Sequence, residues 1–193
     1  YQNGGELDAL LTWATDQVDR AKIQVELPSQ SVERSGNYLL LKGYQEALQP
    51  LVAQIQSVES ANPGEQIDIS LDNPRLLSRL TYDESLGTYY YSYVDDQGFE
   101  RTVYLEHAGS LAHKLNLIRD YNITQAILRD AESSDVDPNL WDMVRQFQLG
   151  PVSANGATLA VTYTVINPDG SVLVQETRGL DNPVSSFIAP EGQ

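Results

Sequence analysis

The segment 103–128 constrains the fold of this chain most, because it predicts a strand, a capped helix and another strand within a short distance. Residues 103–105 are a β-prone apolar run, and Ser110 can cap the helix that follows. Apolar side chains recur inside that helix at helical spacing, namely Leu111, Leu115 and Ile118. The run 125–128 then predicts a buried strand. This order is typical of an α/β unit whose helix packs over a parallel sheet.

The composition is that of a globular protein and argues against several classes of partner. The 193 residues are 41% hydrophobic and carry a formal net charge of −15, with no Lys or Arg cluster to offset it. That charge repels phosphate backbones and anionic lipids, so we expect no nucleic-acid partner. Without cysteines or a long apolar run, the sequence excludes disulfides and predicts no membrane insertion. It begins at Tyr1 without an initiator methionine, which suggests a piece of a longer protein.

The first thirty residues predict a helix and then a strand. An apolar stripe marks the helix, formed by Leu7, Leu10, Leu11, Ala14 and Val18. The alternating run 21–27 predicts a strand that Pro28 ends. The polar segment 29–37 leaves the carboxyl end of that strand. In barrels of alternating strands and helices, this end carries the working loops.

The region between this strand and the 103–128 segment has a different pattern, in which predicted strands predominate. The alternating run 66–71 predicts a strand with one wet face, and residues 89–105 predict a hairpin around a turn at 95–98. We therefore predict an α+β insertion subdomain at about 32–106, within a domain that covers 1–150. A second predicted hairpin, with strands at 158–166 and 171–177, belongs to a partial, β-sandwich-like all-β module at 151–193.

Several segments, in this order, resemble one known family. They are the strand KIQVELP at 22–28, the tyrosine-rich hairpin at 89–98, the segment VYLEHAGSLAHK at 103–114, the strand at 121–128, and Trp141 in the closing helix. Over about residues 1–148 the chain resembles the carboxyl-terminal part of a glycoside hydrolase family 18 domain, of the chitinase and spore-germination type. The resemblance implies an α/β fold, a partial (β/α)8 TIM-type barrel with the insertion before its last strand. It also implies an extracellular or cell-surface bacterial protein.

The departures from the family concern its active site. The catalytic DxxDxDxE motif, whose Glu is the general acid, does not occur in this chain. Glu26 stands where the family has Gly, Gln30 and Ser31 replace its aromatic-rich segment, and Arg129 aligns with the tryptophan that floors its sugar site. We therefore predict no catalytic residue here, and a non-catalytic domain for contact with a chitin- or peptidoglycan-type glycan or for scaffolding. The alternatives are the carboxyl-terminal half of an active enzyme whose Glu lies upstream, and a structural or assembly module.

The candidate sugar-contacting residues are mostly aromatic. Tyr89, Tyr91 and Tyr93 alternate on one face of the predicted hairpin, and Tyr1 is similar to a substrate-contacting tyrosine of the family. With Arg129 they form the predicted substrate-binding set. The competing interpretation is that the tyrosines pack as core or cross-strand residues, since aromatic side chains are good strand formers.

No metal or cofactor site is predicted. His107 and His113 lie six residues apart, not at the i, i+4 spacing of a shared metal, and His107 is interpreted as a packing or capping residue at the helix start. The acidic residues at 130–137 lack the central glycine and distal glutamate of a calcium loop and are interpreted as a solvated loop. Because roughly three of eight barrel strands would leave open edges, we expect the missing barrel half or a homo-oligomer partner to cover them.

Overall fold

A computed structural model describes residues 5–51, 64, 66–70, 75–152, 159–166, 169–179 and 184–188. The chain divides into two compact units, and each is described by itself. Unit 1 comprises Tyr1–Leu48 and Arg75–Ala157, and unit 2 comprises Gln49–Pro74 and Thr158–Gln193. Among the described helices, none has both the length and the apolar character needed to cross a membrane.

The described residues form four α-helices and eleven short strands. The helices are α1 Glu6–Gln17, α2 Tyr44–Leu48, α3 Ala108–Asp120 and α4 Leu140–Leu149, with a 3₁₀ turn at Arg20–Lys22. The strands of unit 1 are β1 Gln24–Pro28, β2 Ser31–Ser35, β3 Tyr38–Lys42, β5 Thr81–Asp83, β6 Thr88–Val94, β7 Glu100–Tyr104 and β8 Gln125–Arg129. The strands of unit 2 are β4 Gln66–Ser70, β9 Ala160–Ile166, β10 Val172–Gly179 and β11 Val184–Ile188.

Two strands of unit 1, β1 and β8, lie parallel to each other. Their register runs from Gln24 opposite Gln125 to Pro28 opposite Arg129. The strand after α3 therefore lies in a parallel pair, as expected, and its partner is β1. The prediction for the strand before α3 is wrong, because residues 103–104 belong to β7, which pairs antiparallel with β2 and β6. Within the described residues the pair has no third strand. The observed class is a mixed arrangement of helices and sheets, and the partial (β/α)8 barrel stays a prediction.

The core of unit 1 is one buried cluster to which α1, α3, α4 and the parallel pair contribute. The apolar stripe predicted for α3 is buried in it, together with Leu27 of β1 and Leu140 of α4. Full burial of each such side chain contributes about 1.5–3 kcal/mol. In α1 only part of the predicted stripe is buried: Leu11 is in the core, whereas Leu10 is exposed and the neighbouring Trp13 is 62% exposed.

A five-stranded antiparallel sheet follows β1. Its strand order is β3-β2-β7-β6-β5, with Tyr91 of β6 opposite Val103 of β7, and the predicted hairpin of these two strands is confirmed. The Asp95 carboxylate accepts hydrogen bonds from the backbone amides of Gln97 and Phe99, which fixes the turn. Because β2 begins shortly after β1 ends, the sheet is attached at the carboxyl end of the parallel pair.

Unit 2 contains two antiparallel strand pairs. The pairing of β9 with β10 is the one that the second predicted hairpin requires. The other pair joins β4, which lies between α2 and β5 in the chain, to β11 near the carboxyl end. The compact units therefore divide the chain differently from the sequence-based boundary near residue 150. The assignment of 1–150 and 151–193 as separate domains stays a prediction.

Candidate functional site

The tyrosines of β6 do not share one environment. Tyr91 is fully buried, at 0% exposure, and its hydroxyl donates a hydrogen bond of 2.6 Å to the carbonyl oxygen of Ala47 in α2. Burial raises the pKa of Tyr91 above its ordinary value. For this residue the packing interpretation applies, because the ring fastens α2 to the sheet and presents no surface to a ligand.

Tyr93 lies on the same face of β6 as Tyr91 and is partly exposed. Its hydroxyl donates to Glu33 Oε2 at 2.7 Å. Arg101, opposite Tyr93 in the β6–β7 register, has Nη1 at 3.8 Å from Glu33 Oε1 and Nη2 at 2.7 Å from Asp95 Oδ2. We call Glu33, Tyr93, Asp95 and Arg101 the Tyr93 cluster.

The Tyr93 cluster combines hydrogen-bond donors and acceptors. Burial, assisted by the hydrogen bond to Glu33, raises the pKa of Tyr93, so the phenol stays protonated at neutral pH. The hydrogen bond from the Phe99 amide is the main cause of the lowered pKa of Asp95, and the bond from Arg101 adds to it. A neutral phenol beside a guanidinium and carboxylates can exchange hydrogen bonds with the hydroxyl groups of a ligand.

Tyr89 continues the same face of β6 toward the junction of β7 and α3. Its ring packs edge-on against Tyr82, with 4.9 Å between the ring centroids, and lies 5.5 Å from the ring of His107. The side chain is partly exposed. Tyr89 therefore has aromatic neighbours, whereas Tyr93 has charged ones. Because α2 covers Tyr91 between them, Tyr89 and Tyr93 offer a ligand two separate contact points.

A buried polar network anchors this face at the start of α3. Lys114 Nζ donates to Glu106 Oε2, and Ser110 Oγ donates to Glu106 Oε1 at 2.7 Å. The Glu106 amide donates to the Ser31 hydroxyl of β2 at 2.9 Å, so the network joins the sheet to α3. Burial raises the pKa of Glu106, and the charge of Lys114 opposes that rise. Because both of its carboxylate oxygens accept hydrogen bonds from buried side chains, Glu106 has a structural role.

His107 is the N-cap of α3, as the capping interpretation predicted. Its Nδ1 accepts a hydrogen bond from the Gly109 amide at 3.1 Å, and Ser110 completes a capping box by accepting from the His107 amide at 2.8 Å. The helix therefore begins earlier than a cap at Ser110 predicts. Asp137 Oδ2 accepts from the Ala108 amide at 2.7 Å and is buried, which corrects the interpretation of the whole acidic loop as solvated.

Arg129 is half-exposed at the carboxyl end of β8. Its Nη1 lies 3.1 Å from Glu26 Oε1, and its Nε lies 3.5 Å from Asp130 Oδ2. Asp130 has a φ of 60°, a left-handed conformation in which the chain leaves the strand. The Ser29 amide donates to the Arg129 carbonyl oxygen at 3.0 Å, so the hydrogen bonding continues past β1. The guanidinium is therefore exposed to solvent near the point where the chain passes from β1 to β2 of the five-stranded sheet.

The structure brings only part of the predicted substrate-binding set together. The three tyrosines share one face of β6, Arg129 belongs to the parallel pair, and Tyr1 lies outside the described residues. Sequence reasoning missed Glu33 and Arg101. Only the register of β2 and β6 on either side of β7 reveals that they lie beside Tyr93. The available signal was a charged residue at the same phase of alternation in each strand.

The acidic residues after β8 fasten loops instead of forming a metal centre. Asp135 Oδ1 accepts from the Gln45 amide at 2.6 Å, and Asp137 Oδ1 accepts from the Asn139 amide at 2.8 Å. Among the residues that the structure describes, no group of three or more acidic or histidine side chains is placed to hold a metal ion. The cofactor and metal predictions stay predictions.

Comparisons with known proteins find similarity in solved structures. No protein-family model matches the chain, and no curated protein matches it either. A chitinase from Chromobacterium violaceum is similar at 22% identity and a TM-score of 0.47, over 70% of this chain and 36% of that one. The spore cortex-lytic enzymes SleL of Bacillus megaterium and Bacillus cereus have 17% and 15% identity and TM-scores of 0.48, over 70% of this chain and 28% of theirs. The chain thus spans about a third of the length of these structures.

Proposed function

We propose that this chain is a non-catalytic, glycan-contacting domain of glycosidase-like architecture that acts at the bacterial cell surface. The observation that carries the proposal is the pair of partly exposed tyrosines, Tyr89 and Tyr93, on a sheet that the buried network at the start of α3 holds in place. The sequence resemblance to glycoside hydrolase family 18 supports a chitin- or peptidoglycan-type ligand and an envelope location.

The chemistry of the two tyrosines suits sugars. A phenol ring offers a rigid apolar face for the C–H side of a pyranose ring, and its hydroxyl offers a hydrogen bond at low entropic cost. The Tyr93 hydroxyl already donates to Glu33, so its lone pairs are oriented to accept from a sugar hydroxyl. Arg129, which pairs with Glu26 at the end of the parallel strands, supplies a further donor in the proposal.

The absence of catalysis is part of the proposal. Glycoside hydrolysis usually requires two carboxylates, one of them an acid with a raised pKa that reaches the leaving oxygen. Among the described residues Glu106 has a raised pKa, but Lys114 and Ser110 occupy its oxygens inside the protein. The alternative is that a longer parent supplies the acid and this chain is half of an active glycosidase. Turnover of a fluorogenic chitobioside by the full-length parent would favour that alternative.

Titration calorimetry with chitohexaose, and with a disaccharide-peptide of peptidoglycan, tests the proposed contact. We expect Tyr93→Ala and Tyr89→Ala each to weaken binding about tenfold, or about 1.4 kcal/mol, because each removes a ring contact. Tyr90→Ala is the matched control, since Tyr90 lies on the opposite face of β6 and stacks on Tyr104 at 6.0 Å. A wild-type chain that binds neither glycan would contradict the proposal, as would equal losses in all three variants.

We also propose that the β1–β8 pair receives further parallel strands from a barrel-completing segment. Parallel sheets normally have both faces covered, whereas Ile127 of β8 is 42% exposed and Trp141 of α4 is half-exposed. An apolar groove of about 570 Å³ runs between α3, β8 and α4, and Leu115, Leu128 and Phe147 are among the residues that line it. Exposed apolar surfaces of this kind are typical of a hydrophobic core whose remaining part is supplied by another segment.

Light scattering tests whether a second copy of this chain or a different segment pairs with β1 and β8. We expect the chain alone to be a monomer of about 21.4 kDa, because the proposal assigns the missing strands to a different segment. A stable dimer that Ile127→Glu dissociates would instead assign this role to a second copy of the chain. Thr81→Glu is a suitable control, since Thr81 is exposed on β5 and does not line the groove.

A further inference from the structure

Two hairpin turns of the five-stranded sheet lie side by side and enclose a shallow depression. One turn joins β2 to β3 and the other joins β6 to β7. They are neighbours because β2 pairs with β7, with Arg34 opposite Thr102. The depression has a volume of about 600 Å³ and is lined by Ser35, Gly36, Asn37, Tyr38, Phe99 and Glu100. None of these residues belongs to the Tyr93 cluster.

Two aromatic rings that line this depression are largely exposed. Tyr38, the first residue of β3, is 77% exposed, and Phe99, which directly precedes β7, is 57% exposed. Single exposed apolar residues are common and require no explanation. Two large aromatic side chains from separate turns that line one depression are less common, and they form a surface on which a flat apolar face can stack.

Side-chain hydrogen bonds hold the backbone of both turns. The Asp95 carboxylate accepts from the Phe99 amide at 2.9 Å, and Arg101 holds the same carboxylate from β7. In the other turn, Arg34 Nε donates to the Gly36 carbonyl oxygen at 3.1 Å, and Gly36 has a φ of 55°, which glycine adopts without strain. The turn backbones therefore need no ordering when a ligand binds, and the cost of ordering falls on the two side chains.

The polar groups of the depression select the ligand. Ser35 supplies a hydroxyl, Asn37 an amide and Glu100 a carboxylate, which can together exchange hydrogen bonds with vicinal hydroxyl or acetamido groups. Glu100 and the formal net charge of −15 disfavour an anionic ligand. The combination of two rings, three neutral or acidic polar groups and no cationic lining residue suits an uncharged saccharide.

We propose that this depression, the tip site, is a second saccharide subsite that binds one end of an uncharged oligosaccharide. Arg101 and Asp95 connect it to Tyr93, because Arg101 lies opposite Tyr93 and Asp95 fixes the turn that carries Phe99. By alternation, Tyr38 and Phe99 lie on the same face of the sheet as Tyr93, and the proposal is that one oligosaccharide reaches both places. This inference rests on the proposed glycan contact and adds that the chain distinguishes long oligosaccharides from short ones.

The dependence of affinity on oligosaccharide length tests the tip site. We expect wild-type protein to bind chitohexaose about tenfold more tightly than chitobiose, and Tyr38→Ala or Phe99→Ala to abolish most of that difference while leaving chitobiose affinity unchanged. Leu39→Ala is the matched control, since Leu39 is exposed in the same strand but points to the opposite face of the sheet. Both aromatic side chains are largely exposed, so the melting temperature of the two variants should equal that of wild type.

The possible outcomes separate this inference from the proposed function. If Tyr93→Ala weakens binding of both sugars while Tyr38→Ala and Phe99→Ala change neither, the tip site is wrong and the contact at Tyr93 stands. If Leu39→Ala removes the length dependence as fully as Tyr38→Ala, the tip site is also wrong. If wild-type protein binds neither sugar, the proposed function and the tip site both fail.

Discussion

Replacing Lys114 by methionine is expected to lower the free energy of unfolding by about 3–5 kcal/mol at neutral pH. The ammonium group donates to Glu106 at a buried position where Ser110 is the other partner of the carboxylate. Methionine preserves most of the side-chain volume but leaves a buried charge without its counter-ion. The carboxylate would have to take up a proton or remain ionised in an apolar environment, and both cost stability.

The pH dependence of this loss has a definite sign. Burial already raises the pKa of Glu106 in the folded state, and loss of Lys114 removes the charge that opposes the rise. A carboxyl group whose folded pKa lies above its unfolded value contributes stability at low pH and loses it as the pH rises. The deficit of Lys114→Met should therefore be larger at pH 8 than at pH 5.

Urea unfolding followed by tryptophan fluorescence measures both effects. Lys42→Met is the matched control, because Lys42 pairs with Glu46 at 2.6 Å on the surface and such pairs are worth about 0–1 kcal/mol. The double variant Glu106→Gln, Lys114→Met should recover part of the loss, since it removes the unpaired charge. Equal costs for the two lysine variants would show that the network does not hold the junction of β7 and α3.

Acidification from pH 7 to pH 5 is expected to remove about 2 kcal/mol of stability through His107 alone. The pKa of His107 is lowered to about 4, mainly by burial; the charge of Asp137 opposes the shift and the charge of Lys114 adds to it. In the unfolded chain the pKa is about 6.5. The unfolded chain therefore takes up the proton first, and the contribution is complete above about 6.5 and lost as the pH falls toward about 4.

The hydrogen bonding of His107 gives a second reason for its low pKa. Because Nδ1 accepts from the Gly109 amide, the neutral ring carries its proton on Nε2, and within the described residues Nε2 has no hydrogen-bond partner. Protonation would place a second proton on Nδ1, directed at the Gly109 amide. The imidazolium form would therefore break the cap of α3 as well as bury a charge.

His107→Asn separates the titration from the cap. Asparagine can accept the hydrogen bond from the Gly109 amide but does not titrate, so the variant should lose about 2 kcal/mol less than wild type between pH 7 and pH 5. The comparison uses the difference between two pH values, which cancels the cost of the smaller side chain. Parallel stability curves, or a His107 pKa near 6.5 by NMR, would contradict the expected burial of a neutral ring.

Periodicity and turn chemistry were sufficient to predict the main elements of unit 1. The stripe of α3 at Leu111, Leu115 and Ile118 is buried, and the hairpin of β6 and β7 forms around Asp95. The order of the segments predicted a parallel sheet at the strand after α3, but it did not predict that residues 103–104 would join the antiparallel sheet. These features depend on local residue patterns, which a sequence displays directly.

The long-range environment of each side chain could not be predicted in the same way. Alternation places Tyr89, Tyr91 and Tyr93 on one face of β6, but only the packing of α2 decides that Tyr91 is buried. The Tyr93 cluster depends on the register of three strands, and the pairing of β4 with β11 joins distant segments. The buried bond between Glu106 and Lys114 is likewise a tertiary contact that charge patterning leaves undetermined.

The most direct test of the proposed glycan contact is a titration of chitohexaose into the isotope-labelled chain, followed by NMR chemical shifts. We expect the largest shifts at Tyr89 and Tyr93 and their neighbours on that face of the sheet, with a smaller change at the Arg129 side chain, and little change at Tyr90 and Tyr104 on the opposite face. Saturating sugar that leaves the signals of Tyr89 and Tyr93 unmoved would contradict the account.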